Sequence, residues 1–333
     1  MSAFSDQDFN SASYSAYRPT YDRSVIRQVT TYHAAHQITD ATSRQGRHFS
    51  LAVDLATGTG QMCELVSPVS DRVYGLDISA TMIKSAVQLP NVQYSVSPAE
   101  GPWDAAIAPG SVDLVTIAQG AHWFKRPQAW HQIQRMLKPR GTLAIVGYSF
   151  VSFGGKPRAA ELLWKLATAS TLLGPFWEQG REYVETLLGD WHIPFDNVVR
   201  LYSPPGLVAP SHRQQHGQGN KTTVPASSMC LEGLKRIHSA QTANGWYLPA
   251  PESYMRKTLT PREIVLYLQT WSSYKRFCHV HPGRQGIVRE YVEMMMEVEG
   301  CHAWDEPWET DWNHVLILAT NPAETREESL QAI

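Results

Sequence analysis

The chain has 333 residues, 43% hydrophobic and 18% charged, which is apolar material for one large or two ordinary domains and too little charge for a disordered polyampholyte. Lys+Arg 29 against Asp+Glu 31 gives a net charge of −2, without the basic excess that a nucleic-acid partner calls for. No apolar run approaches the roughly 18 residues of a membrane span, and the polar start MSAFSDQDFNSAS lacks the basic and apolar blocks of a secretion signal. The expectation is a cytoplasmic protein, monomer or weak homodimer, with a small-molecule partner and neither nucleic acid nor membrane.

Cys63, Cys230, Cys278 and Cys301 are scattered without CxxC pairing, so reduced thiols are expected and no metal. The 11 Trp and 14 Tyr suit walls around flat or cationic ligands.

In chain order, the first segment with character is SYSAYRPTY, which holds Tyr14, Tyr17, Arg18 and Pro19. A helical pattern through Val25, Ile26, Val29 and Tyr32 follows it. An aromatic and basic arm in this place reads either as a surface segment packed on the core or as a flap over a ligand.

The stretch from Leu51 to Ser79 organises the rest. An apolar run, Leu51 to Leu55, enters a loop with Gly58 and Gly60, passes a short helical segment, and emerges in a second run, Val73 to Leu76, closed by Asp77. The two glycines allow a sharp turn and close approach of a ligand. Asp77 stands where strand–helix–strand units of this kind hold ribose hydroxyls. A nucleoside-containing cofactor at the carboxyl ends of a parallel sheet is the reading. A nicotinamide unit would want a third glycine where Cys63 stands. Asp54, just before the loop, can bind turn amides or accept from a cationic amino group on the ligand.

Beyond Asp77, Ser79 is placed to cap a helix whose apolar face is Met82, Ile83, Ala86 and Val87. Asn91 to Val96 reads as a third strand, ending near Ser97, Pro98, Ala99 and Glu100. Ser111 to Ile117 is a fourth, followed by Gln119, Gly120, Ala121, His122, Trp123 and Phe124. The ends of the first three strands converge on one crevice, where open α/β sheets bind ligands. Trp130 to Leu137 predicts a helix stopped by Lys138, Pro139, Arg140 and Gly141, and Thr142 to Val146 a fifth strand.

In the C-terminal half, Ala159 to Leu173, Glu182 to Leu188 and Tyr291 to Val298 read as helices, and Asn197 to Tyr202 and Asn313 to Ala319 as strands. Phe176 and Trp177 are placed either to wall a pocket or to staple two helices. Residues 204–228 are rich in Pro, Gly, Gln and Ser and read as a loop or lid. Thr260 and Pro261 open a helix in the N-cap then Pro arrangement, with a face of Ile264, Leu268, Trp271 and Tyr274.

These residues resemble a known family. DLATGTG is similar to the cofactor loop of class I S-adenosylmethionine-dependent methyltransferases, and GLDIS followed by Met82 to their second motif. SVDLVTIAQGAHWF, YRPTY, FWEQGREYVETLL and LQTWSSYKRF resemble a narrower subgroup that includes trans-aconitate and cantharidin methyltransferases. The resemblance departs from the family pattern at Ala56, in place of the first loop glycine, and at Pro98, in place of an acidic residue that holds the adenine amino group.

The resemblance implies an α/β, Rossmann-like sheet, mostly parallel with the last strand antiparallel, under a helical substrate-binding cap. The expected division is 1–40, an arm closing over the site; 41–150, the cofactor-binding core; 151–310, the cap with its loop at 204–228; and 311–333, the last strand and a charged tail. It further implies that Asp54, Gly58, Thr59 and Gly60 surround the methionine part of S-adenosylmethionine, with Ala56 and Thr57 also among the cofactor contacts. Asp77 takes the ribose, Ile78 and Met82 the adenine face, Ala99 and Glu100 its edge, and Gln119 stands beside the sulfonium. Tyr17, Arg18, His122, Trp123, Trp177, Trp271 and Tyr274 are the expected substrate contacts.

The expected reaction is methyl transfer to a small-molecule acceptor, an oxygen and first a carboxylate. A carboxylate, with a reference pKa of about 4, is ionised near neutrality and needs no base. A phenol, amine or hydroxyl would call on His122, named with Gln119 as a catalytic candidate. The alternative is a methyltransferase fold without transfer activity, a binding or regulatory subunit or one recruited to a reaction such as cyclisation.

Overall fold

The computed structural model describes residues 17–37, 48–103, 107–189, 191–202 and 245–323. The expected loop at 204–228, Cys230 and the charged tail after residue 323 lie outside them.

Among the described residues nine strands form one sheet: β1 (Phe49–Leu55), β2 (Ser70–Asp77), β3 (Val92–Val96), β4 (Val112–Ala118), β5 (Leu137–Phe153), β6 (Asp196–Tyr202), β7 (Trp246–Pro249), β8 (Arg256–Leu259) and β9 (Trp308–Thr320). Their order is β3-β2-β1-β4-β5-β9-β6-β7, with β8 also on β9. Pairings among β1 to β5 are parallel, whereas β9 runs antiparallel to β5, β6 and β8. This is the mostly parallel sheet with an antiparallel last strand that the sequence led us to expect. β1 reads almost wholly buried because both faces are covered. Ala52 joins the apolar cluster under α1 (Arg23–His36) and α2 (Gln61–Val66), while Leu51, Val53 and Leu55 join the one under α4 (Arg126–Met136). α3 (Ala80–Lys84) is capped as expected, Ser79 Oγ accepting from the Met82 amide at 3.3 Å.

Two expectations need correction. Lys138 to Gly141 do not end a helix in a loop. The helix stops at Met136 and β5 begins at once, with Arg140 at φ 62° and a register shift against β4 between Val112 and Leu114. The breakers thus bend a strand instead of stopping one, and β5 is far longer than Thr142 to Val146, because antiparallel β9 supplies partners out to Phe153. The helix opened by Thr260 has its full capping box with Glu263, but it ends at Gln269. α7 (Pro261–Gln269) and α8 (Ser272–Val280) are separate helices with extended Trp271 between them. In the 151–310 region β6 is the strand expected over Asn197 to Tyr202, and with β7 and β8 it extends the core sheet, beside α5 (Pro157–Thr168), α6 (Arg181–Glu185), α7, α8 and α9 (Ile287–Val298).

Among the described residues no helix is long and apolar enough to cross a membrane, and no group of His, Cys, Asp or Glu is placed to hold a metal. The described cysteines are free thiols.

Candidate active site

The strand order reverses at β1, and a cavity of about 280 Å3 opens at the carboxyl ends of β1, β2 and β4, the switch point at which such sheets bind ligands. The loop after β1 contributes Ala56, Thr57, Gly58 and Thr59 to its wall. Gly58 has φ 56°, and a Cβ there would meet nothing within 4 Å; the left-handed backbone selects glycine, and the bare side of the loop faces open space.

Asp77 closes β2 with both carboxylate oxygens engaged. Oδ2 accepts from the Gly58 amide at 2.9 Å and Oδ1 from the Ser79 amide at 2.8 Å. Burial raises its pKa, against the pull of the Ser79, Gly58 and Ile78 amides. Around it stand Ile78, 63% exposed, together with Met82, Ala99 and Glu100, all on the cavity wall. Glu100 Oε1 is held by the Lys125 amide at 2.7 Å. Trp123 and Phe124 complete an aromatic rim.

Two residues expected in this wall are not in it. Asp54 is fully buried on the α2 side of β1, accepting from Thr116 Oγ1 at 2.6 Å, with Cys63 Sγ at 3.7 Å from Oδ2. Its place is beneath the loop, and desolvation lifts its pKa to about 6 despite those hydrogen bonds. Gly60, at φ 87°, is a glycine because a Cβ would run into Tyr94 Oη under the loop; its small size serves packing and not the cavity.

Gln119 follows β4 at φ 56°, a left-handed conformation uncommon outside glycine. Its side chain explains how it is held. Nε2 donates to the Tyr148 carbonyl at 2.8 Å and Oε1 accepts from the Tyr148 amide at 2.7 Å. Gln119 thus lines the cavity with its amide committed to β5, fixing Tyr148 as the neighbouring wall.

His122 lies in the short 3-10 turn Ala121–Trp123, and its ring is 4.7 Å from that of Trp123. It lines a second, water-sized cavity with Gln119, Tyr148, Leu187 and Leu188. Burial, and secondarily the Arg181 charge, push its pKa down to about 3, so the ring is neutral at ordinary pH.

The expected substrate residues divide. Arg18 reaches the cavity's edge, Nη1 donating to Tyr148 Oη at 3.3 Å and Nη2 to the Thr270 carbonyl at 3.1 Å. Trp177 and Trp271 form an aromatic cluster with Phe150, ring centroids 5.1 to 6.2 Å apart, on the same wall of β5 as Tyr148. Tyr17 packs on the core, and Tyr274 does not join the site: its hydroxyl donates to the Gln285 carbonyl at 2.8 Å. Sequence reading missed Tyr21, Phe124 and Tyr148 on the cavity wall and Arg181 behind it. The first three fall within or beside the motifs already noted, and Arg181 was visible as a lone cation in the aromatic run FWEQGREYV.

Comparison with known proteins agrees with this geometry. Residues 53–145 match the family model described as a methyltransferase domain. A protein of Dictyostelium discoideum, assigned by inference as a methyltransferase, is 29% identical over 190 residues, 57% of this chain and 66% of that protein. A protein of Saccharomyces cerevisiae named as a probable S-adenosylmethionine-dependent methyltransferase is 23% identical over an alignment covering 95% of this chain and 97% of its own. In fold, the chain is similar to a solved structure from Anaeromyxobacter dehalogenans, assigned by inference as a type II methyltransferase, with TM-score 0.59 and 19% identity over 92% of this chain and 100% of that one.

Proposed function

We propose that the chain is a class I S-adenosylmethionine-dependent methyltransferase, a reading supported by its similarity to proteins so described, and that it methylates an oxygen of a small-molecule acceptor, with a carboxylate as the first choice. The resemblance to the trans-aconitate and cantharidin subgroup belongs to this reading, as does an acceptor site built from the N-terminal arm and the 151–310 region.

The residues present fit the cofactor. Asp77, bridged to Gly58 and Ser79, offers a charged acceptor suited to ribose hydroxyls. Ile78, Met82 and Ala99 offer an apolar slot, and the bare face of Gly58 a place for close approach. When bound, the cofactor supplies a methyl carbon activated by positive sulfur. The protein's part is positional: Gln119 and Tyr148 set the wall beside that slot, and Trp123 and Phe124 screen it from water. Holding two reactants in line is worth roughly 7 to 11 kcal/mol in favourable systems, enough to dispense with acid–base help when the acceptor arrives ionised.

The observation that carries the carboxylate choice is the state of His122. A ring whose pKa is held at about 3 is too weak a proton acceptor to activate a phenol or alcohol efficiently, whereas a carboxylate near neutrality has no proton to lose. Incubation with methyl-labelled S-adenosylmethionine and a panel of carboxylic acids, phenols and thiols tests it. The expected product is a base-labile methyl ester; label found in phenol ethers or thioethers and in no ester would overturn the choice.

A further inference from the structure

Behind the wall formed by Tyr148 lies a cation that the cofactor site does not use. Arg181 opens α6, directly after Gly180, whose missing side chain leaves room for the His122 carbonyl: a Cβ there would stand 3.0 Å from that oxygen. The guanidinium packs against two rings inclined at 64° to each other, 4.0 Å from the centre of Phe150 and 4.3 Å from that of Trp177. Its Nε donates to Glu185 Oε1 at 3.2 Å. Its Nη2 is sealed from solvent and has no hydrogen-bond partner, although the side chain as a whole is 17% exposed along its stem.

A buried N–H on a charged group without an acceptor costs more than a neutral one. Burial lowers the Arg181 pKa to about 10 against the opposing pull of Glu185, which still leaves it charged at neutral pH. The ion pair with Glu185 engages Nε and the two rings pack on the guanidinium, and neither gives Nη2 an acceptor. Neighbours of Arg181 border the site. His122, within the electrostatic reach of Arg181, lines the small cavity beside Gln119, and Phe150 lies two residues beyond Tyr148 on β5.

We propose that Arg181 is a specificity-determining residue that anchors a carboxylate of the acceptor, with Phe150, Trp177 and Trp271 packing against the acceptor's flat or apolar body. A guanidinium presents its donors in a plane, which matches a planar carboxylate edge to edge, and the two rings packed on it restrict how it can turn. Selection follows from what is left unmade: an uncharged isostere leaves the donor unpaired, a penalty that discriminates more sharply than the loss of apolar contact. The proposal rests on the methyltransferase reading and adds to it the residue that selects the acceptor.

The test uses the full-length protein saturated with S-adenosylhomocysteine, titrated with benzoate, trans-cinnamate and adipate, with their primary amides, and with phenyl phosphate. Binding is followed by ligand-detected NMR and calorimetry. Wild-type protein should bind at least one acid about tenfold or more tighter than its amide, the scale of one charge-assisted hydrogen bond. Arg181→Gln should erase that preference and Arg181→Lys retain part of it, with S-adenosylhomocysteine affinity recorded in each variant as the check of folding. Acids and amides binding alike, no acid binding to wild type, a preference that survives Arg181→Gln, or phenyl phosphate outcompeting benzoate would each overturn the assignment. Failure of wild type to bind S-adenosylhomocysteine would instead count against the underlying methyltransferase reading, so the two failures are told apart.

Discussion

A Cβ placed on Gly120 would collide with the Cβ of Ala56. These residues follow β1 and β4, the strands that flank the switch point, and the room left by Gly120 admits the side chain of Ala56. Ala56 adopts φ 55°, a left-handed conformation that favours glycine, while Gly120 has an ordinary φ of −112°. Glycine is needed at 120 for space alone, and the side chain at 56 takes that space.

Exchange of the two residues should therefore be far milder than either change suggests. Gly120→Ala alone overpacks the crevice and should cost about 1 to 3 kcal/mol. Ala56→Gly trades relief of about 1 kcal/mol of left-handed strain against about as much backbone entropy, and should be near neutral. In the double variant the new Cβ meets no atom closer than 3.8 Å, so most of the loss should return, a coupling of about 1 to 2 kcal/mol in a denaturation cycle. Strict additivity would contradict the contact.

Much of this crevice was legible because the chemistry there is carried by short runs. A glycine loop, a carboxylate at a strand end and a polar residue after β4 are local patterns, and the structure brings Gly58, Asp77 and Gln119 to one cavity. What was not legible depends on partners distant in sequence. Asp54 follows Ala52 on the α2 face of β1, and only the positions of Thr116 and Cys63 reveal that it points beneath the loop. The length of β5 is fixed by β9, more than 150 residues away, as the Phe153–Thr310 pairing makes plain. Trp271 continues the helical spacing of Ile264 and Leu268, yet the chain breaks there and the ring joins Phe150 and Trp177. Four-residue β7 and β8 carry too few residues for an alternation to show.

The buried carboxylate of Asp54 should leave a signature in stability against pH. Its pKa rises from 3.8 to about 6 on folding, so between those values the folded state holds the proton more tightly than the unfolded one. Its contribution to stability is then full below about pH 4 and is lost as pH rises through about 6, a change of roughly 3 kcal/mol. Asp54→Asn abolishes that titration. The difference in melting temperature, variant minus wild type, should climb between about pH 4 and 6 and stay level above. A constant difference across that range would refute the shift.

Replacement of His122 should separate orientation from proton transfer. With the ring held neutral by burial and by Arg181, neither wild type nor His122→Asn should show a limb in its transfer rate that belongs to this residue between about pH 5.5 and 9. The loss in rate should stay within about tenfold, below the 10²- to 10⁴-fold typical of a general base. A limb present in wild type and absent from the variant, measured as initial rate with labelled cofactor, would restore His122 as the base.

Arg18 joins three parts of the molecule: the N-terminal arm, Tyr148 on β5, and the carbonyl of Thr270 where α7 ends. Its positive charge is also favoured at that helix C-terminus. Three residues on, Tyr21 lines the switch-point cavity, and at Asp22 the chain is tied down again, its amide donating to the Tyr254 carbonyl at 2.9 Å and its side chain capping α1. Loss of the Arg18 contacts should therefore free the arm without melting the helix. In Arg18→Gln, amide exchange from Tyr17 to Tyr21 should quicken by about tenfold or more, the worth of one or two charge-assisted hydrogen bonds, while α1 keeps its protection. Affinity for S-adenosylhomocysteine should fall severalfold, because Tyr21 is then held in the cavity wall from one side only. Exchange unchanged over the arm would show that Arg18 does not latch it.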